Sequence, residues 1–202
     1  KQRKEQNMAW NDFSDAEEQS SSDLVPNKTP VKVVLKIRPG GYNDPEKGLT
    51  GGLATQSDGG AVYLDGEFTI MGGKYAKRKV WSLIGLHSPK GPKWEQMGRS
   101  FIRAMLESAR GIAPNDASEL GKKARNINSY ADLDGMEFAA FVEVQKAEPN
   151  STYSDKNVIQ TVIPTTHKDY AALMSGAGVA APSAPAAGSS QANTTGKPAW
   201  AN

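Results

Sequence analysis

The chain has 202 residues, 38% hydrophobic, 7% aromatic and 23% charged, with a formal net charge of +2, no cysteine and two histidines, His87 and His167. That length suits one domain with tails, or two small domains. Without cysteine there is no disulfide scaffold, thiolate zinc site or cysteine nucleophile, and two distant histidines all but exclude histidine catalysis or a multi-histidine metal site.

The +2 is a sum of unlike parts. Residues 1–24 carry three basic and six acidic side chains, residues 25–170 carry 20 and 16, and residues 171–202 carry Lys197 alone. The first region, with MAWNDFSDAEEQSSSD from Met8 onward, is Ser-rich and holds Trp10 and Phe13. It is expected to be a disordered acidic arm. Two readings of it stand: a solvated arm, or a segment that imitates the charge of nucleic acid and competes for the basic body. Lys1–Asn7 is charged with no apolar core behind it, so no secretory signal is expected, and Met8 reads as a natural start. No apolar run approaches the ~18 residues that span a bilayer, so the expectation is a cytoplasmic chain without a membrane partner.

Residues 25–170 read as one domain of five strands and one long helix. Val31 to Ile37 alternates Val31, Val33, Leu35 and Ile37 against Lys32, Val34 and Lys36, a half-buried strand with a basic outer face. Pro39–Gly60 is glycine-rich and reads as a long connection. Ala61 to Ile70 alternates again, with Val62, Leu64, Phe68 and Ile70 on one face and Tyr63, Asp65, Glu67 and Thr69 on the other. A turn at 71–75 leads to a third strand over 78–86. Lys93–Gly111 is predicted as a helix with an apolar stripe of Trp94, Met97, Phe101, Met105 and Ala109, stopped by Gly111. Asp116–Lys123 reads as a short helix capped by Asp116, with Glu119 three residues on. Strands over 136–145 and 157–163 complete the order β-β-β-α-β-β. A mainly β chain with its one long helix between strands three and four has the arrangement of an OB-fold-like five-stranded barrel with flexible tails. Residues 171–202 are mostly Ala, Gly, Ser and Pro and are expected to be a disordered tail. Its tip carries Trp200, either a stray aromatic or a short peptide that docks on a partner.

Enzyme readings close quickly. Asp132, Asp134 and Glu137 cluster without a nearby histidine and read as polar turn residues rather than a magnesium site. No glycine pair sits in a phosphate-binding or dinucleotide motif. His87 and Ser88 are adjacent on a strand, so they point to opposite faces and cannot act as a nucleophile and base. The expectation is a non-catalytic protein with no cofactor and no metal.

The stronger signal is basic and aromatic. Between Lys74 and Arg110 nine basic residues face only Glu95 and Glu107. Lys74, Lys77, Arg78, Lys79, Lys90, Lys93 and Arg99 are candidates to track phosphates, with Lys32, Lys36 and Arg38 on the first strand. Tyr63, Tyr75 and Trp81 are candidates to stack bases. A basic groove releases counterions from a nucleic-acid backbone, and unpaired bases stack on Tyr or Trp with ~1–3 kcal/mol each. The blander reading is also open: the 74–79 turn is a solvated loop, Trp94 is core, and Arg99 and Arg103 pair with Glu95 and Glu107.

Three stretches carry a family resemblance: Gly73-Lys-Tyr75-Ala-Lys-Arg78-Lys-Val-Trp81, Met97-Gly-Arg99 in the helix, and Tyr153-Ser-Asp-Lys156-Asn157-Val-Ile159. Over about Val31–Tyr170 the chain resembles an uncharacterised family of phage- and prophage-encoded proteins, often described as single-stranded DNA-binding and encoded beside recombination and replication genes. The resemblance implies an OB-like fold and a role in DNA replication or recombination in a bacterial host cell. By position it marks Tyr75, Arg78, Trp81, Arg99, Tyr153 and Lys156. Bacterial single-stranded DNA-binding proteins usually end in an acidic aromatic tip; here Lys197-Pro-Ala-Trp200-Ala-Asn202 is aromatic but not acidic. The expected partners are single-stranded DNA, a phage recombinase, nuclease or polymerase through the C-terminal tail, and a second copy of the chain. The alternative is a protein–protein adaptor or virion-associated protein that acts through its tails.

Overall fold

The computed structural model describes residues 23–149 and 151–176. The acidic arm through residue 22, the tail beyond residue 176 and Trp200 lie outside the described residues. Within them runs one antiparallel sheet of seven strands, curled into a half-barrel, with few helices. The strands are β1 (Thr29–Arg38), β2 (Tyr42–Asp44), β3 (Leu49–Gln56), β4 (Val62–Ile70), β5 (Lys79–His87), β6 (Glu137–Gln145) and β7 (Lys156–Val162). The helices are α1 (Lys93–Arg110), α2 (Glu119–Lys123) and α3 (Tyr170–Met174). No helix among the described residues is long and apolar enough to cross a membrane.

Period-two alternation builds the barrel. Val33 and Leu35 of β1, Leu64 and Phe68 of β4, and Phe138, Ala140 and Val142 of β6 are fully buried. A side-chain period of two puts all of them on the inner face. Phe68, Phe101 of α1 and Phe138 meet edge-on, with ring centroids 6.1–6.2 Å apart. Each such contact adds about 0.5–1.5 kcal/mol beyond area burial.

β4 is the hub of the sheet. One of its edges is shared by β1, at Asp65–Ile70, and β3, at Val62–Leu64, while β5 occupies the other edge. β1 continues to β6, and β6 to β7. β7 then returns to the side of β5, where the Ile159 N–H donates to Ser82 Oγ at 2.8 Å. No ladder joins β5 to β7, so this is the seam of the half-barrel.

α1 lies across one end of the seam. A Cβ on Gly98 would sit 1.8 Å from the Gly85 carbonyl oxygen, so helix and strand touch backbone to backbone. Trp94 covers Gly85 from above, and its ring meets Tyr63 at 6.1 Å. Gly98 in the Met97-Gly-Arg99 stretch is therefore a packing requirement. Gly111 ends the helix in the left-handed region, φ 68°, and its N–H donates to the Glu107 carbonyl.

Several elements differ from the sequence reading. The glycine-rich connection is not a plain loop but contains the β2–β3 hairpin, so the sheet has seven strands rather than five. The hairpin forms because Leu49 and Ala54 are buried and because Asn43 Oδ1 accepts from the Gly52 N–H at 2.9 Å. α2 is capped by Ser118, whose Oγ accepts from Gly121 N, and not by Asp116, which bonds Ser118 instead. The folded chain runs past Tyr170: α3 buries Leu173 against Ala139 and Ile163, and the Tyr170 hydroxyl donates to the Ser108 carbonyl at 2.5 Å. That burial pushes the Tyr170 phenol up from its ordinary value. Met97, expected on the apolar stripe, is 59% exposed because the close Gly98–Gly85 contact turns it outward beside the seam.

Candidate nucleic-acid interface

The expected site residues fall into two groups. The first lies on the outer face of β1 and β4. Antiparallel register places Arg38 opposite Asp65 and Lys36 opposite Glu67. Directly opposite side chains on one face interact, and of these two pairs Arg38 and Asp65 close into an ion pair, while Lys32 reaches Glu137 diagonally. Arg38 pairs with Asp65 at 3.4 Å, and Lys32 with Glu137 at 2.7 Å. On β5, Lys79 reaches back to Glu67 at 2.8 Å. The hydrogen bond from Lys79 holds the Glu67 carboxyl below the usual carboxylate range. Four expected phosphate contacts, Lys32, Lys36, Arg38 and Lys79, thus share a face with three carboxylates. Tyr63, expected to stack a base, is half-buried and spends its ring on Trp94.

The second group surrounds the β4–β5 turn and the start of β7. Lys74 and Lys77 are exposed in the turn, and Lys77 holds φ 68° where the turn closes on β4. A non-glycine residue there is uncommon and is fixed by the turn, since its N–H donates to the Ile70 carbonyl at 2.8 Å. Tyr75 is half-buried against the core, with Lys74 Nζ and the Arg78 guanidinium 5.5 and 5.6 Å from its ring centroid. It serves as a cation platform rather than a free face. Arg78 also donates to the Asp23 carbonyl. Trp81 is 47% exposed on β5, next to Leu83 at 54%. Lys156 opens β7, and Tyr153, 82% exposed, precedes it in the β6–β7 loop. β5 and β7 run in the same sense around the sheet, and Lys79 and Lys156 each stand three residues before the Ser82–Ile159 bond. Both therefore mark the same end of the seam. Among the described residues Lys74, Lys77 and Lys156 form no ion pair.

The remaining candidates are scattered. Lys93 lies on the flank of α1 that faces β7, with Met97 and Gln160. Arg99 lies on the opposite flank, in a hollow of about 370 Å³ shared with His87, Glu95, Lys47 and Tyr130. Lys90 is exposed in the loop before α1, where its N–H donates to Ser88 Oγ. The structure does not bring Arg99 to the seam.

Some functional-looking features are scaffold. Glu107 is buried and accepts from Arg103 at 2.9 Å and Arg125 at 2.6 Å. Arg125 and Arg110 also donate to loop carbonyls between Ala113 and Asn126. Those arginines fasten the loop after α1 and leave little charge for a ligand. Asp132 accepts from the Asn128 N–H and Asp134 from the Ile37 N–H, so both are spent on backbone. Sequence reasoning missed Leu83 and Met97, which flank a seam cavity of about 110 Å³ also lined by Gly85, Trp94 and Ile159. A Leu two positions from Trp81 on an exposed strand face was the available signal. In comparisons with known proteins, no family model and no curated protein matches this chain.

Proposed function

We propose that this chain is a non-catalytic single-stranded nucleic-acid-binding protein, built on an OB-fold variant and acting in phage-type replication or recombination in a bacterial cytoplasm. The strand order supports the fold: β1, β4, β5, β7 and β6 follow one another around the curl, with α1 between β5 and β6. The β2–β3 hairpin is then an elaboration of the first connection. One observation carries the function: Trp81 is 47% exposed on the strand that follows the β4–β5 turn, and Lys74 and Lys77 of that turn form no ion pair among the described residues. Exposed aromatics and unpaired cations on one strip are what a strand with bare bases and regular phosphates requires. Lys74, Lys77 and Lys156 track phosphates. Trp81 and Tyr153 stack bases.

The test is anisotropy of labelled oligo-dT at about 50 and 300 mM salt, where binding through several phosphates weakens steeply. Saturable binding that falls with salt is expected. No saturation at low salt, or indifference to salt, overturns the reading. The second reading, a protein–protein adaptor, draws on Leu83 and Met97, exposed apolar side chains beside a cavity. A Leu83→Ser/Met97→Ser chain that loses a recombinase, nuclease or polymerase partner but keeps oligo-dT would favour it.

A further inference from the structure

The flank of α1 that faces away from the seam borders two hollows. One, of about 370 Å³, lies between α1, the β2–β3 hairpin and the end of β5. The other, of about 490 Å³, lies between α1 and the loop that follows α2. Arg99, Ile102 and Tyr130 line both, so the two are halves of one cleft that meet at those three side chains.

Two polar groups at this junction are unengaged. Glu95, one turn before Arg99, is the partner that helical spacing offers it. The Glu95 carboxylate instead lies 3.9 Å from His87 Nδ1. Among the described residues the exposed Arg99 guanidinium makes no ion pair or hydrogen bond, and the hydroxyl of half-buried Tyr130 makes no hydrogen bond. The floor on either side is apolar, with Val62 and Leu86 in the smaller half and Leu106 and Ile127 in the larger. A few converging polar groups over an apolar floor are the make-up of a small-ligand site.

The two halves differ in charge, and the difference orients a ligand. No carboxylate lines the larger half, where Arg99 stands with Arg103 and Arg125. Arg103 and Arg125 are held on Glu107 at 2.9 and 2.6 Å and form a fixed wall, so Arg99 supplies the free donors. The smaller half contains the Glu95 carboxylate, the Gln56 amide and the Tyr42 ring, and its Lys47 is taken by Asp44 at 2.6 Å. An anion is favoured in the larger half and disfavoured in the smaller one. A flat ring with polar edges suits the smaller half, where Tyr42 can stack on it and Glu95 can accept from a ring N–H. We propose that this cleft binds a nucleoside 5′-monophosphate unit, phosphate on Arg99 and Tyr130, base beside Tyr42 and Glu95. The planar guanidinium matches phosphate oxygens two at a time. The unit is either a free nucleotide or the phosphorylated end of a strand. The site is separate from the seam and does not depend on how the seam is read.

Calorimetric titration of the full chain with dTMP at about 50 mM salt tests this. Saturable binding is expected, with a Kd on the order of 10–100 µM for a ligand of that size. Inorganic phosphate and thymidine, each filling one half, should bind at least about tenfold more weakly. Arg99→Gln should weaken dTMP binding about tenfold, and Tyr130→Phe, which keeps the ring, about threefold. No saturation up to about 1 mM dTMP, unchanged affinity in either variant, or phosphate or thymidine binding as tightly as dTMP overturns the proposal. Competition then assigns the source. Displacement of dTMP by 5′-phosphorylated but not by 5′-hydroxyl oligo-dT identifies a strand end, and displacement by neither identifies a free nucleotide. Equal displacement by both makes the cleft a stretch of the strand path and overturns the assignment. A chain that binds dTMP but ignores oligo-dT keeps the cleft and loses the seam reading. Salt-dependent oligo-dT binding without dTMP binding does the reverse.

Discussion

The outer face of β1 and β4 and the open end of the β5–β7 seam are both rich in Lys and Arg, yet they differ electrostatically. On the first, the ladder sets Arg38 against Asp65, and Lys32 closes on Glu137 of the neighbouring strand. On the second, Lys74 and Lys77 sit in a turn and Lys156 starts a strand opposite the uncharged Gln145, and none of the three forms an ion pair among the described residues. Register makes the difference. A strand interior presents a side chain opposite every residue, so a cation there can be neutralised by its neighbour. A turn has no such neighbour. Charge available to a ligand therefore concentrates at turns and strand ends. The rings do not follow this rule: Tyr63 is taken by Trp94, while Trp81, also inside a strand and opposite Glu67, is 47% exposed.

The largest effect should come from closing off the seam itself. Gly98→Ala puts a methyl 1.8 Å from the Gly85 carbonyl oxygen, a backbone atom that cannot swing aside. α1 must lift from β5, at a cost of about 3 kcal/mol. Chemical denaturation should show that loss. A change below about 1 kcal/mol would mean the helix can ride higher without disturbing the sheet.

Next is charge reversal at the unpaired cations. Lys74→Glu/Lys77→Glu/Lys156→Glu should weaken oligo-dT binding about a hundredfold at low salt and flatten the salt slope by about two, as three lost phosphate contacts require. The matched Lys32→Ala/Arg38→Ala chain should stay within about twofold, because its cations are already neutralised. Equal losses in the two chains would erase the contrast between the faces.

Trp81→Ala should then cost about tenfold in affinity with little change in stability, the weight of one stacked base. Tyr63→Ala should do the reverse. Its ring packs on Trp94, so denaturation, not anisotropy, should report the loss.

How much of this was legible beforehand depends on where the signal lives. β1 and β4 are readable because four apolar residues alternate in each. α1 is readable from its stripe and from Gly111. The β2–β3 hairpin was not, since Leu49-Thr-Gly-Gly breaks alternation where the strand begins. Gly98 gave a partial hint: a mid-helix glycine costs about 1 kcal/mol and asks for a packing reason. The basic candidates were readable as a cluster, but their sorting into paired and unpaired was not. Arg38 meets Asp65 only through register, and Arg103 is spent on a buried Glu107. The grip of Asn157 on Val25 joins residues 132 apart and leaves no local pattern.

The smallest expected effect probes the boundary between the two regions, at Glu67. It accepts from Lys79 at 2.8 Å, and Lys79 lies at the start of β5, between the paired face and the free cations. The carboxyl is held below its ordinary value, so its folded form is depressed relative to the unfolded chain. Such a group contributes stability above the unfolded value of about 4.3 and loses it as pH falls through the folded value. Acidifying from pH 7 to 5 therefore leaves Lys79 engaged, and only substitution releases it at neutral pH. Glu67→Gln should cost below about 1 kcal/mol of stability, as a part-exposed pair does. It should tighten oligo-dT binding about two- to threefold at low salt by freeing one cation and deleting one repelling charge. Weaker binding would mean that Lys79 works as positioned by Glu67, and the interface would then extend from the seam onto the paired face.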